Sequence, residues 1–141
     1  MISLKDTAAA FLTYKKWPIF ATEDPNLICT KFKGHNGSWN TFIQCHPSQP
    51  IVIIYSLFPH SCPENKEQDL LRLIAQLNDG LMIGNFEYNF EHREVRFKTS
   101  MNATYMTEKL EIFDAPFYHN FLAMDQYFVQ LKAFIHPNPT V

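Results

Sequence analysis

Apolar positions recur along the chain with two different periods, and the switches between them mark out the elements. Over residues 3–15, Leu4, Ala8, Phe11 and Leu12 return at helical spacing, with Ser3 placed as N-cap and Pro18 stopping the pattern. After the turn-rich stretch 21–26 come three runs of strand character, 27–33, 38–46 and 51–58. They are separated by Gly34-His35-Asn36-Gly37 and by Pro47-Ser48-Gln49-Pro50, and read as a meander. The second run alternates, with Trp39, Thr41, Ile43 and Cys45 on one side. The third, IVIIYSLF, is apolar at both parities, which predicts a central strand with little of either face in water.

Ser61-Cys62-Pro63-Glu64 has capping-box spacing, with Asn65 as a cap for a slightly later start. The helix that follows carries Leu70, Leu71, Ile74 and Leu77 as one stripe, and Asp79-Gly80 offers glycine for a left-handed terminal residue. Residues 82–101 then read as an antiparallel hairpin. If Glu91 and His92 form a two-residue loop, Phe90 faces Arg93, Tyr88 faces Val95, Phe86 faces Phe97 and Met82 faces Met101 on the apolar side. On the other side Glu87 falls opposite Arg96 and Asn85 opposite Lys98. A last helix begins near Pro116 and runs to about Ile135, where His136-Pro137-Asn138-Pro139 ends it.

The order is α-β-β-β-α-β-β-α, an α+β chain. Its text also carries a resemblance. The stretch 55–59, then Cys62-Pro63-Glu64 opening a helix, then 77–87 (LNDGLMIGNFE) and 94–100 (EVRFKTS), resembles the YbjN-domain proteins of cyanobacteria from about Trp17 to the last helix. The resemblance implies an antiparallel five-stranded sheet packed by helices, like class I type III secretion chaperones, often dimeric and without enzyme activity. One departure stands out: relatives tend to have Asp-Gly in the hairpin turn where this chain has Glu91-His92. Lacking a glycine for positive φ, that turn predicts a longer or looser loop.

Composition narrows the class. With 141 residues, 46% hydrophobic and 15% aromatic, and 13 Phe spread from Phe11 to Phe134, a single folded domain over 1–141 is expected. A formal charge of −2 leaves no positive excess for phosphate backbones, so nucleic acid is not an expected partner. Asp6 interrupts any leader-like pattern, and the longest apolar run spans eight residues, so neither secretion nor a membrane segment is expected. Three cysteines are no disulfide framework; a cytoplasmic location is the expectation.

Candidate chemistry is thin. Cys45-His46 and His60-Ser61-Cys62 are the best metal-like clusters, but strand pairing places them at opposite ends of the meander, roughly 25 to 30 Å apart. A small-ligand or metal site from His35, His60 and Cys62 survives as the alternative, without zinc-type spacing. Cys45 and His46 point to opposite faces of a strand and make no nucleophile pair. Gly80-Leu81-Met82-Ile83-Gly84 leads into a strand, so it lacks the helix N-terminus of a phosphate cradle, and Gly84 reads as a close-packing position or a bulge. Glu87 and Glu94 belong to a solvated face. No catalytic residue, cofactor or metal is expected.

The last helix holds the one surplus. Phe117, Phe121, Met124, Phe128, Leu131 and Ile135 make a normal core stripe, but Tyr118, Leu122 and Val129 flank it on one side and Tyr127 and Phe134 on the other. Only His119, Gln126 and Gln130 mark a polar back. Such an arc is either buried in a deeply seated helix or meets a partner. The expectation is a non-catalytic, homodimeric interaction or regulatory module, chaperone-like, binding a protein or peptide through Tyr118, Leu122, Tyr127 and Phe134.

Overall fold

Ser3 caps the first helix as its hydroxyl accepts from the Asp6 amide at 3.1 Å. The computed structural model describes residues 3–104 and 109–136. Among these, α1 (Leu4–Tyr14) leads into β1 (Leu27–Lys33), β2 (Ser38–Cys45) and β3 (Ile51–Leu57). Then come a 3₁₀ turn (Glu64–Lys66), α2 (Glu67–Asp79), β4 (Asn85–Asn89), β5 (Glu94–Asn102), a second 3₁₀ turn (Leu110–Phe113) and α3 (Asp114–Ile135). All five strands join one antiparallel sheet in the order β1-β2-β3-β5-β4. The expected α+β architecture and element order are present, and β3 is central, as its double-sided apolar run demands.

Burial alternates along β2 and β3, and the inward residues Trp39, Ile43, Val52, Ile54, Phe86, Val95 and Phe97 meet Phe11, Leu70, Phe117 and Met124 of the helices in one core. The helices therefore cover one face. On the other, Phe42, Ile53 and Tyr55 are only half-buried, with the Arg96 guanidinium 4.3 Å from the centre of the Tyr55 ring.

The hairpin register is the expected one: Tyr88 pairs with Val95, Phe86 with Phe97, Glu87 with Arg96 and Asn85 with Lys98. Its loop differs. Phe90 to Arg93 form a four-residue connection, so Phe90 and Arg93 are not strand partners; Arg93 takes φ 54° and Asn89 Oδ1 accepts from the Glu91 and His92 amides at 2.9 and 3.1 Å. Without glycine the turn lengthens, yet charge and apolar pairing hold the register.

Three expectations need correction. Met82 does not pair with Met101: β4 starts at Asn85, and Met82 is 98% exposed. The capping box at Ser61 does not form, because the Ser61 hydroxyl donates instead to the His92 carbonyl at 3.3 Å, and α2 starts from Lys66 with no side-chain cap. Gly80 is right-handed (φ −92°); the left-handed glycine is Gly84 (φ 75°), where a Cβ would lie 2.6 Å from the Phe97 ring. Gly84 is thus a close-packing position. The expected stop at Pro137 to Pro139 lies outside the described residues; α3 ends at Ile135.

Candidate functional site

An open recess is built where α1 ends. Lys16 takes φ 62°, its amide donates to the Thr13 carbonyl and the Trp17 amide to the Leu12 carbonyl, both at 3.0 Å, a Schellman closure with lysine where glycine is usual. This sharp exit lays Trp17 against three rings at once: Phe32 of β1 (5.7 Å between ring centres), Phe117 (5.8 Å) and Phe121 (5.2 Å) of α3. Phe32 stacks on Phe121 at 3.9 Å, and Phe11 adds a fifth ring 5.0 Å from Phe117. These five rings line a groove of about 910 Å³, with Tyr118 (62% exposed) and Leu122 (48%) along its rim.

Charges close its two ends. Lys15 meets Asp114 at 3.4 Å across one. At the other, Asp125 of α3 clasps the turn between β1 and β2, its carboxylate accepting from the His35 and Asn36 amides at 3.2 and 2.8 Å while Asn36 Nδ2 donates to its carbonyl at 2.9 Å. Gly34 has no room for a Cβ against that carboxylate.

Beside the groove runs the sheet's edge. Odd-numbered residues of β1 turn their backbone outward; Leu27 and Cys29 are covered there by Asp24 and Phe20. Lys31 and Lys33 have no outer backbone partner among the described residues. The opposite edge is treated differently, since Asn78 of α2 imitates a strand at Phe86: its Oδ1 accepts from the Phe86 amide at 2.7 Å and its Nδ2 donates to the Phe86 carbonyl at 3.0 Å.

The four residues expected at a partner surface separate. Tyr118 and Leu122, with the exposed Val129, are on the open flank of α3. Tyr127 and Phe134 are half-buried on the other flank, where Tyr127 packs edge-on to Phe86 at 5.7 Å and Lys66 Nζ donates to the Phe134 carbonyl at 3.0 Å. The wide apolar arc is therefore covered by the chain itself on one side and left open on the other.

His35, His60 and Cys62 share no cavity. His35 lines the groove, His60 lines a second recess and lies parallel to His136 at 5.5 Å, and Cys62 is interior. Among the described residues no group of three or more His, Cys, Asp or Glu is placed to hold a metal ion. Burial pushes the thiols of Cys29, Cys45 and Cys62 above the ordinary cysteine range, which opposes thiolate chemistry. His46 is occupied in the turn after β2, its Nδ1 accepting from the Ser48 and Gln49 amides at 3.1 and 3.0 Å. Tyr88 donates to Glu67 Oε2 at 2.7 Å, and burial, then that carboxylate, raise its phenol further.

One polar constellation escaped sequence reasoning. Asn120, fully buried, sits within the apolar stripe of α3, accepts from the Ser56 hydroxyl, and donates from Nδ2 to the carbonyls of Ile54 and Phe97 at 2.9 and 3.2 Å, with Thr99 Oγ1 at 3.1 Å. Ser56 in turn accepts from Trp39 Nε1 at 3.0 Å. The pattern held a signal: position 120 lies three residues after Phe117 and four before Met124, where a polar residue needs partners. The network bolts α3 to β3 and β5, and so sets where Phe117 and Phe121 meet the groove.

No family model matches the chain, and no curated protein matches it in sequence. Solved structures do. YbjN from E. coli, a candidate transcription regulator, superposes with a TM-score of 0.69 at 10% identity, covering 94% of each chain. A chain of the ExsC-ExsE complex superposes with a TM-score of 0.56 at 11% identity, covering 89% of this chain and 90% of that one. The five-stranded antiparallel sheet with three helices among the described residues is thus a fold this chain shares with YbjN and with that chain of the ExsC-ExsE complex.

Proposed function

We propose that the protein is a single-domain, non-catalytic cytoplasmic interaction module that takes an extended segment of a protein partner along β1. The observation that carries this reading is the aromatic groove lying beside the open backbone of Lys31 and Lys33. An added strand satisfies those donors and acceptors while its alternate side chains reach Trp17, Phe32 and Phe121. The two lysines favour acidic residues at the intervening positions. No helix among the described residues is long and apolar enough to cross a membrane, which accords with this location. The half-buried outer sheet face around Phe42, Ile53 and Tyr55 is the candidate surface for a homodimer.

The test is site-specific photocrosslinking in native cells from Tyr118, with Gln130 as control, repeated from Tyr118 in a Leu122→Glu background. A partner crosslinked from Tyr118, absent at Gln130 and lost in Leu122→Glu at unchanged melting temperature is the expected result. The same partners at all three settings refute the groove. A strict monomer by size-exclusion chromatography with light scattering removes the dimer.

A further inference from the structure

On the far side of the β1–β2 turn a second recess of about 460 Å³ notches the strand ends, between that turn and the exit of β3. Its floor is Trp39 and Phe128, and its polar lining is Lys31, Asn36, Ser38, Asn40, His60 and Lys132, with no Asp or Glu among the described residues. Neither lysine has a carboxylate within salt-bridge distance among those residues. His136 stacks on His60 at 5.5 Å and 18°, adding a further basic group. Among the described residues the lining thus gathers positive charge, with the Asp125 carboxylate held at its border by the Asn36 amide. The C-terminal end of α3, worth about half a negative charge, balances only part of Lys66, Lys132 and His136 around it. Burial first, then the neighbouring His136 and Lys132, hold the His60 imidazole below its ordinary pKa.

We infer that this notch binds the phosphate group of a small molecule, with Lys31 and Lys132 as charged donors and His60, Asn36, Ser38 and Asn40 as neutral ones. A phosphate monoester carries close to two charges and three terminal oxygens, and several convergent donors suit it better than they suit a carboxylate. The volume exceeds that of a bare ion, which takes the place of only a few waters at ~30 Å³ each, so the body of a metabolite also fits. The site uses none of the groove's rings and stands whether or not a protein partner binds there.

Titration of the ¹⁵N-labelled protein with inorganic phosphate and with glycerol 3-phosphate, at fixed pH and with chloride holding ionic strength, tests it. Expected are saturable shifts at Asn36, Ser38 and His60, and a His60 pKa that rises at saturation. Lys132→Gln and Lys31→Gln, the second at an exposed strand position that leaves folding intact, each weaken binding about tenfold or more, and Lys16→Gln does not. Non-saturating shifts reproduced by chloride, or affinities unchanged in both lysine variants, overturn the site. Binding of a phosphoserine peptide with no response to either small probe overturns the small-molecule assignment.

Discussion

Replacing Asn120 by leucine keeps the branching pattern at a larger volume and removes the hydrogen bonds. The carbonyls of Ile54 and Phe97 keep their cross-strand amide partners but lose the Asn120 donor, as does Thr99 Oγ1, and Ser56 is left with Thr41 Oγ1 at 3.3 Å as an acceptor for its proton. Each of the four hydrogen bonds lost is worth about 1 kcal/mol. The added apolar area returns about 1 kcal/mol. A net loss of about 2–4 kcal/mol follows, a fall in melting temperature of roughly 6–15 °C for a domain of this size. Urea unfolding should show a lower midpoint with an unchanged slope, since the same surface is exposed. Overpacking alone could also destabilise, so the cycle with Ser56→Ala decides: the two changes should couple by about 1 kcal/mol or more. Asn120→Leu within about 0.5 kcal/mol of wild type, or strict additivity with Ser56→Ala, would falsify the claim that this network anchors α3.

Gly84→Ala should cost more than 1 kcal/mol in the same assay, about what a left-handed alanine pays even before its Cβ meets Phe97 and the Lys98 carbonyl; Lys16→Gly, at φ 62°, should gain about 0.5–1 kcal/mol. Burial opposes ionisation of Glu87, but the hydrogen-bonded Lys98 at 2.7 Å and Arg96 at 2.9 Å outweigh it and hold its carboxyl below the ordinary range. Because the folded pKa is the lower one, the stabilisation is complete above the unfolded value, ~4.3, and is lost as pH falls through the folded value. Glu87→Gln should therefore be less stable than wild type near pH 7, with the gap closing below about pH 4; a gap that stays constant on acidification contradicts the ion pairs.

Local pattern made much of the fold legible. β1 over Leu27–Lys33 follows from apolar and turn residues alone, and the β4–β5 register from the opposition of Glu87 to Arg96 and Asn85 to Lys98. Boundaries failed where a distant segment competed. Ser61 gave up its cap for the His92 carbonyl because the hairpin loop comes back against it, also drawing the Cys62 amide to the Arg93 carbonyl at 2.7 Å. Tyr118 and Leu122 could be picked out as flanking the stripe, yet whether a flank is open depends on what lies over it, and Phe86 and Lys66 decide that for Tyr127 and Phe134. The groove was hidden for a stronger reason: its rings come from positions 11, 17, 32, 117 and 121, and only chain closure brings them together.

The turn at Gly34 to Gly37 borders both recesses, and Asp125 alone of the acidic groups holds it to α3 by its amides. An occupant of the groove meets Gly34 and His35, and one of the notch meets Asn36 and Gly37. If a partner strand lifts the turn, the two hollows merge into one trench; if a ligand in the notch presses it down, the groove is walled off. Any coupling between the two occupants would pass through this tie to Asp125, and linkage would make it equal in both directions.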